Sequence, residues 1–144
     1  MFSKACEYGI RAVIYVAVQS NEGKRVSLKS IAKEINSPEA FTAKILQLLA
    51  KNDIISSIKG PNGGFEIDKK EMILITLDQI VLAIDGDSIY KGCGLGLKDC
   101  SEIHPCPVHD KFKKIRSDLK KMLENTTVFE LSKGLKKGIT FLKT

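Results

Sequence analysis

No stretch of this sequence could cross a bilayer as a helix. Its longest uncharged apolar run near the start, residues 12–18, falls far short of the roughly 20 residues a spanning helix needs, and Glu7 and Arg11 precede it on the same expected helix. No secretory signal is readable, so the expected compartment is the cytoplasm. A phosphate-binding glycine loop is missing. Cys106 and His109 are close enough in sequence to suggest a nucleophile and its base, yet they have no evident orienting acid or oxyanion pocket. Catalysis is therefore not expected. Internal repeats and low-complexity tracts are absent, and 43% of the 144 residues are hydrophobic, which suits one compact domain or a small domain with a dimerising extension. Histidines are scarce, at two, and cysteines number four. Without secretion, those cysteines read as reduced thiols or metal ligands rather than as a disulfide framework.

What is present is concentrated. Residues 93–109, CGLGLKDCSEIHPCPVH, hold three of the four cysteines and both histidines in the pattern C-x6-C-x5-C-x2-H. Soft ligands packed that closely suggest a metal centre, and thiolates favour zinc, copper(I) or iron–sulfur iron over harder cations. The formal net charge of +6 favours an anionic partner such as nucleic acid, although the location of the basic residues matters more than their total.

In chain order, residues 4–19 put Ala5, Tyr8, Ala12, Val13 and Val16 on one helical face, and the apolar residues around them predict burial on most sides. Ser27 is a candidate N-cap for the short helix LKSIAKEI, which Asn36 stops. Ser37-Pro38-Glu39 reads as N-cap, first-turn proline and first-turn acid of a third helix over roughly 38–51, with Phe41, Ile45, Leu48 and Leu49 as its apolar stripe. Two helices joined by a tight turn, the second with a polar face, form a helix-turn-helix. Residues 54–67 then flank Gly60-Pro61-Asn62-Gly63-Gly64 with β-rich segments, a hairpin signal. Thr76 and Gln79 predict a capping box for LDQIVLAI, and Thr127 with Glu130 predicts another for a last short helix. Between these, residues 108–124 carry Phe112, Ile115, Leu119 and Met122 as a narrow stripe on a lysine-rich helix, which predicts pairing with a second helix in a homodimer. The expected fold is mainly α with a small β-hairpin: a winged helix-turn-helix over residues 1–75, and a sensor loop with a long C-terminal dimerisation helix over residues 76–144.

These features together resemble the winged-helix transcription regulators that include the iron–sulfur cluster regulator IscR and the nitric-oxide-sensing repressor NsrR. The likeness rests on EYGIRAVIYVA, SPEAFTAKILQLLAKNDII, GPNGGF and the three-cysteine loop before a long helix, and it spans nearly the whole chain. It implies a homodimer on a palindromic double-stranded DNA operator, with recognition helices in the major groove and wings beside the minor groove. Ser37, Thr42 and Lys44 fall on the recognition segment, and Lys59, Asn62, Gly63 and Gly64 fall on the wing; Thr42 and Lys44 are the preferred contacts. Glu39 is read as a helix-stabilising acid.

The likeness further implies that Cys93, Cys100 and Cys106 ligate an iron–sulfur cluster whose state alters DNA affinity. A 2Fe–2S cluster is the first expectation, with 4Fe–4S as an alternative. IscR-like members take the fourth ligand from a histidine at the position of His109. NsrR-like members take it from an acid on the first helix of the partner subunit, where this chain has Glu7. His109 ranks first, and Glu7 has the simpler role of pairing with Arg11 one turn on. The first cysteine interval is one residue longer here than in IscR. Structural zinc on Cys93, Cys100, Cys106 and His109, or a metal-free disulfide switch, are the competing readings. His104 matches no ligand position, and Cys6 reads as a small core residue.

Overall fold

A computed structural model describes residues 1–143. The first helix, α1 (Lys4–Asn21), starts where the Ser3 hydroxyl accepts the Cys6 amide at 3.0 Å, satisfying one of the donors that a helix N-terminus leaves free. It is the central strut: Cys6, Ala12, Val13, Val16 and Ala17 are fully buried. Gly9 lets another helix come close, since a Cβ there would lie 2.3 Å from Ile84 Cδ1.

Helix α2 (Leu28–Ile35) is capped by Ser27, whose hydroxyl accepts the Ser30 amide at 3.1 Å. It ends at Asn36, which takes the left-handed conformation with φ 53°. Helix α3 (Glu39–Lys51) follows after the three residues Asn36, Ser37 and Pro38. Its N-cap is Pro38 with no side-chain capping bond, so the expected Ser37 cap is corrected: the Ser37 hydroxyl is buried and has no hydrogen-bond partner among the described residues. Strands β1 (Ser56–Ile58) and β2 (Gly64–Glu66) pair antiparallel, Ser56 opposite Glu66 and Ile58 opposite Gly64. Val26 adds a third edge to this hairpin by exchanging backbone bonds of 3.1 and 2.8 Å with Phe65.

Beyond the hairpin come α4 (Leu77–Asp85), the single turn α5 (Ser88–Lys91), the cysteine loop, α6 (His109–Glu124) and α7 (Val128–Lys136). Gln79 accepts the Thr76 amide at 3.2 Å and Thr127 accepts the Glu130 amide at 3.2 Å, at the two predicted helix starts. Helix α7 packs back on α1, while α6 lies against α4 and α5. The two segments are sewn together at Leu77 to Thr126 and Val128 to Ile75, each a backbone bond of 2.9 Å. The shared core includes Val13, Val16, Ile31, Leu46, Leu49, Met72, Ile80, Leu123 and Val128. Each large apolar side chain taken fully out of water contributes about 1.5–3 kcal/mol before entropy is charged.

The predicted stripe on α6 does not form one face. Leu123 and His109 are buried, Phe112 and Leu119 are half-buried, and Ile115 and Met122 are 61% and 48% exposed. Positions 109, 112, 116, 119 and 123 follow the helical repeat that faces this chain's own body, and 115 and 122 lie off it. No helix among the described residues is long and apolar enough to cross a membrane.

Candidate nucleic-acid interface and metal centre

The outer face of α3 carries exposed Ala40, Lys44 and Gln47 and half-buried Ala43, a ridge at helical spacing whose two alanines leave room for close approach to a groove. Lys44 and Lys59 enter no ion pair among the described residues, so both charges are free to neutralise phosphates. Gln47 was not among the predicted contacts; its position three residues after Lys44 and off the apolar stripe was the available signal. Thr42 is corrected. It is fully buried and its hydroxyl donates to the Pro38 carbonyl at 2.9 Å, so it is a core residue of the turn and presents nothing to a groove. Ser37 sits at the rim of a concavity of about 630 Å3 between α2 and the start of α3, beside Lys29 and Lys33.

The wing extends from the hairpin, with Lys59 and Asn62 exposed at its turn. Its glycines are obligatory for different reasons. A Cβ on Gly63 would sit 2.1 Å from the Ile58 carbonyl oxygen, and Gly64 combines φ +141° with a Cβ position 2.7 Å from the Val26 carbonyl oxygen.

The cysteine loop brings two of its four donors into contact. Cys100 Sγ lies 3.5 Å from His109 Nδ1, joining the middle of the loop to the first turn of α6. Arg116, two turns further along α6, donates to the same sulfur at 3.4 Å and to the Gly92 carbonyl at 3.0 Å. Cys93 and Cys106, both half-buried free thiols, stand at the two ends of the cysteine run. The Leu95 amide donates to Cys93 Sγ at 3.4 Å, and backbone amides of Leu95 and Leu97, with a smaller contribution from Cys106, hold the Cys93 thiol below its ordinary value. Lys113 ties Glu102 of the loop to α6 and keeps that carboxyl below the usual carboxylate range. Gly94 lies against the Phe112 ring, where a Cβ would be 2.5 Å from a ring carbon.

Among the described residues no three metal-competent side chains converge on one point. The donor set still fits a soft metal or cluster: three free thiols and an imidazole, with backbone amides and a guanidinium directed at sulfur. The surrounding concavity, about 750 Å3 between α4, α5 and α6, has all its cations matched: Lys91 with Asp87, Lys113 with Glu102, Lys120 with Glu124 and Arg116 with the loop. Tyr90 donates to Asp78 there at 2.6 Å, and burial together with that bond raises its phenol above the ordinary value.

Glu7, on α1, pairs with Lys4 at 3.3 Å rather than with Arg11, whose guanidinium stacks on the Tyr8 ring at 4.7 Å. That corrects the expected Glu7–Arg11 pair. His104 is exposed in the loop. Cys6 is fully buried, and burial, with Asp85 and Glu7 adding to it, pushes its thiol up to about 12.

The chain is 32% identical over 134 residues to an Aquifex aeolicus protein assigned by name to the HTH-type transcriptional regulators, covering 91% of this chain and 90% of that protein. It is 25% identical over 124 residues to the HTH-type transcriptional regulator IscR of Yersinia pseudotuberculosis, covering 86% and 74% of the two chains. In fold it is similar to CymR, the global cysteine regulator of B. subtilis, with TM-score 0.74, 23% identity and coverage of 92% and 96%. T. potens IscR is similar in fold as well, with TM-score 0.73, 19% identity and coverage of 99% and 93%. With residues 2–134 matching the Rrf2 family, described as iron-dependent transcriptional regulators, on a winged helix-turn-helix scaffold, the chain belongs to that family of transcription regulators rather than to the enzymes.

Proposed function

We propose that the protein is a homodimeric, cytoplasmic regulator whose affinity for a palindromic operator is set by an iron–sulfur cluster on residues 93–109. The carrying observation is the contact between Cys100 Sγ and His109 Nδ1 at 3.5 Å. It makes the loop and the first turn of α6 a single unit, so any change in what the thiolates hold is felt at the base of that helix. Cys93, Cys100 and Cys106 would hold the cluster, with His109 as fourth ligand and Glu7 of the partner subunit as the alternative. When bound, the cluster supplies one-electron redox chemistry and reactivity toward oxygen or nitric oxide.

This chain's own groups do the rest. The Leu95 amide and the Arg116 guanidinium stabilise negative sulfur at Cys93 and Cys100, and Arg116 fixes the loop entrance through Gly92. On the DNA side, Lys44 and Lys59 neutralise phosphates, Gln47 reads base edges from α3, and Asn62 follows the wing toward the minor groove. Ser37, whose hydroxyl is buried, shapes the turn between α2 and α3, and Lys29 and Lys33 beside it supply the charge for the phosphate backbone.

Anaerobic purification tests the reading: a coloured protein with visible absorbance and iron and sulfide in equal amounts is expected, and His109→Ala should shift the spectrum while Glu7→Ala leaves it unchanged. Stoichiometric zinc without iron would favour the structural-metal reading, and a colourless, metal-free product after reconstitution would end the cluster proposal. For the interface, Lys44→Ala should lower the slope of log affinity against log salt by about one. Gln47→Ala should cost about 1–3 kcal/mol on the preferred duplex and less on others.

A further inference from the structure

We propose that Arg25 is a positioning residue for the wing: it locks the turn in the orientation that meets DNA, without itself being a principal DNA contact. The proposal rests on the reading of the wing as a DNA-contacting element. Arg25 precedes Val26, the residue that bridges to Phe65, so its side chain leaves the base of the hairpin. From there its Nε donates to Glu66 Oε2 at 2.8 Å and its Nη1 donates to the Asn62 carbonyl at 3.1 Å. One guanidinium thus spans from the last residue of β2 to the turn.

The wing needs such a tie. Its strands are three residues each, short enough that a hairpin of this kind is marginal alone, and the turn between them holds Gly60 and Gly63. The β1–β2 ladder and the Val26–Phe65 bridge hold its base, whereas Arg25 holds its tip. A turn already ordered in the free protein loses less conformational freedom when it docks. Arg25 also neutralises Glu66, an acid that would otherwise repel the phosphate backbone from the side of the wing. The pair is partly exposed, with side chains 41% and 36% accessible, so its contribution to global stability is small and its effect is local.

The test uses a duplex enriched from a random-sequence pool by the wild-type protein. Arg25→Ala is expected to weaken binding about tenfold, with the melting temperature and the salt slope unchanged. Glu66→Gln should also weaken binding, although removing an acid beside DNA would by charge alone strengthen it, and the double variant should bind no worse than Arg25→Ala. Arg25→Lys keeps the charge but not the fork that reaches two acceptors, so it should behave like Arg25→Ala. Without DNA, trypsin should cut after Lys59 several-fold faster in Arg25→Ala, reading the loosened turn directly. Tighter binding by Glu66→Gln together with a salt slope lowered by about one in Arg25→Ala would overturn the proposal in favour of a direct phosphate contact. Wild-type binding by Arg25→Ala, or rescue by Arg25→Lys, would overturn it as well. If the wild-type protein enriches no duplex, the DNA-binding reading fails and the proposal falls with it.

Discussion

Four cysteines of one chain behave as two chemical kinds. Cys6 lies fully buried in α1 and its thiol is pushed up to about 12, whereas Cys93 on the loop has a thiol held below its ordinary value by backbone amides. In the reduced, metal-free protein, alkylation followed by mass spectrometry should modify the three loop cysteines quickly and Cys6 only on unfolding. The buried thiol also gives a pH signature. Below the ordinary thiol value of 9.0, folded and unfolded chains both keep the Cys6 proton. Between 9.0 and about 12 only the unfolded chain gives it up, so folding stability falls as pH rises through that window. Cys6→Ala should show a flatter fall in denaturant unfolding measured across the same range. Its role as a core residue was readable from its place on an apolar helix. Thr42 was not, because a threonine that returns its hydroxyl to the carbonyl four residues back can sit inside, and this satisfaction is invisible in residue type.

Locally determined elements were largely legible. Ser27, Gln79 and Thr127 act through side chains that complete a nearby backbone turn, and Asn36 through a left-handed backbone, so a few consecutive residues suffice to specify them. The wing was legible for the same reason, and its glycines make the sharpest element-scale prediction. Gly63→Ala should disorder the turn, because the Ile58 carbonyl occupies the added methyl's position at 2.1 Å and backbone has little room to yield. The clash, at about the 1–3 kcal/mol that overpacking costs, should fall on the wing. DNA affinity should drop at least tenfold with circular dichroism unchanged; an alanine variant with full affinity would show that the wing does not need this turn. The division of α6 into two faces was not legible. Phe112, Ile115, Leu119 and Met122 are alike in hydropathy, and only the packing of α6 on α4 and α5 separates the half-buried pair from the exposed one. The pairing of Cys100 with His109 belongs to the same class, since loop spacing fixes which donors are near but not which of them meet.

For the whole molecule, the exposed side of α6 carries the case for two copies. Ile115 and Met122 are seven residues apart on one flank of α6, about a quarter turn round from the side packed against the chain's own body, and they are 61% and 48% exposed. Burying the pair against a second α6 would remove apolar surface from water at about 25 cal/mol per Å2. It would also link two α3 helices and two wings, and simultaneous engagement of two half-sites raises affinity without any new contact to DNA. The double substitution Ile115→Glu with Met122→Glu should therefore convert a dimer to a monomer of 15.9 kDa in sedimentation velocity. Thermal unfolding of the monomer should remain cooperative, because neither side chain belongs to the core. Operator binding should weaken by about two orders of magnitude or more, approaching the affinity of one head for one half-site. A variant that stays dimeric would move the interface elsewhere on the surface, and a wild-type protein that sediments as a monomer even on its operator would remove the dimer. Since α6 begins at His109 and carries Arg116 against Cys100, the helix proposed to set the distance between the two heads is also the one the cysteine loop grips. The same sedimentation experiment on Cys100→Ala should thus leave the dimer intact while changing its operator affinity, separating the grip from the interface.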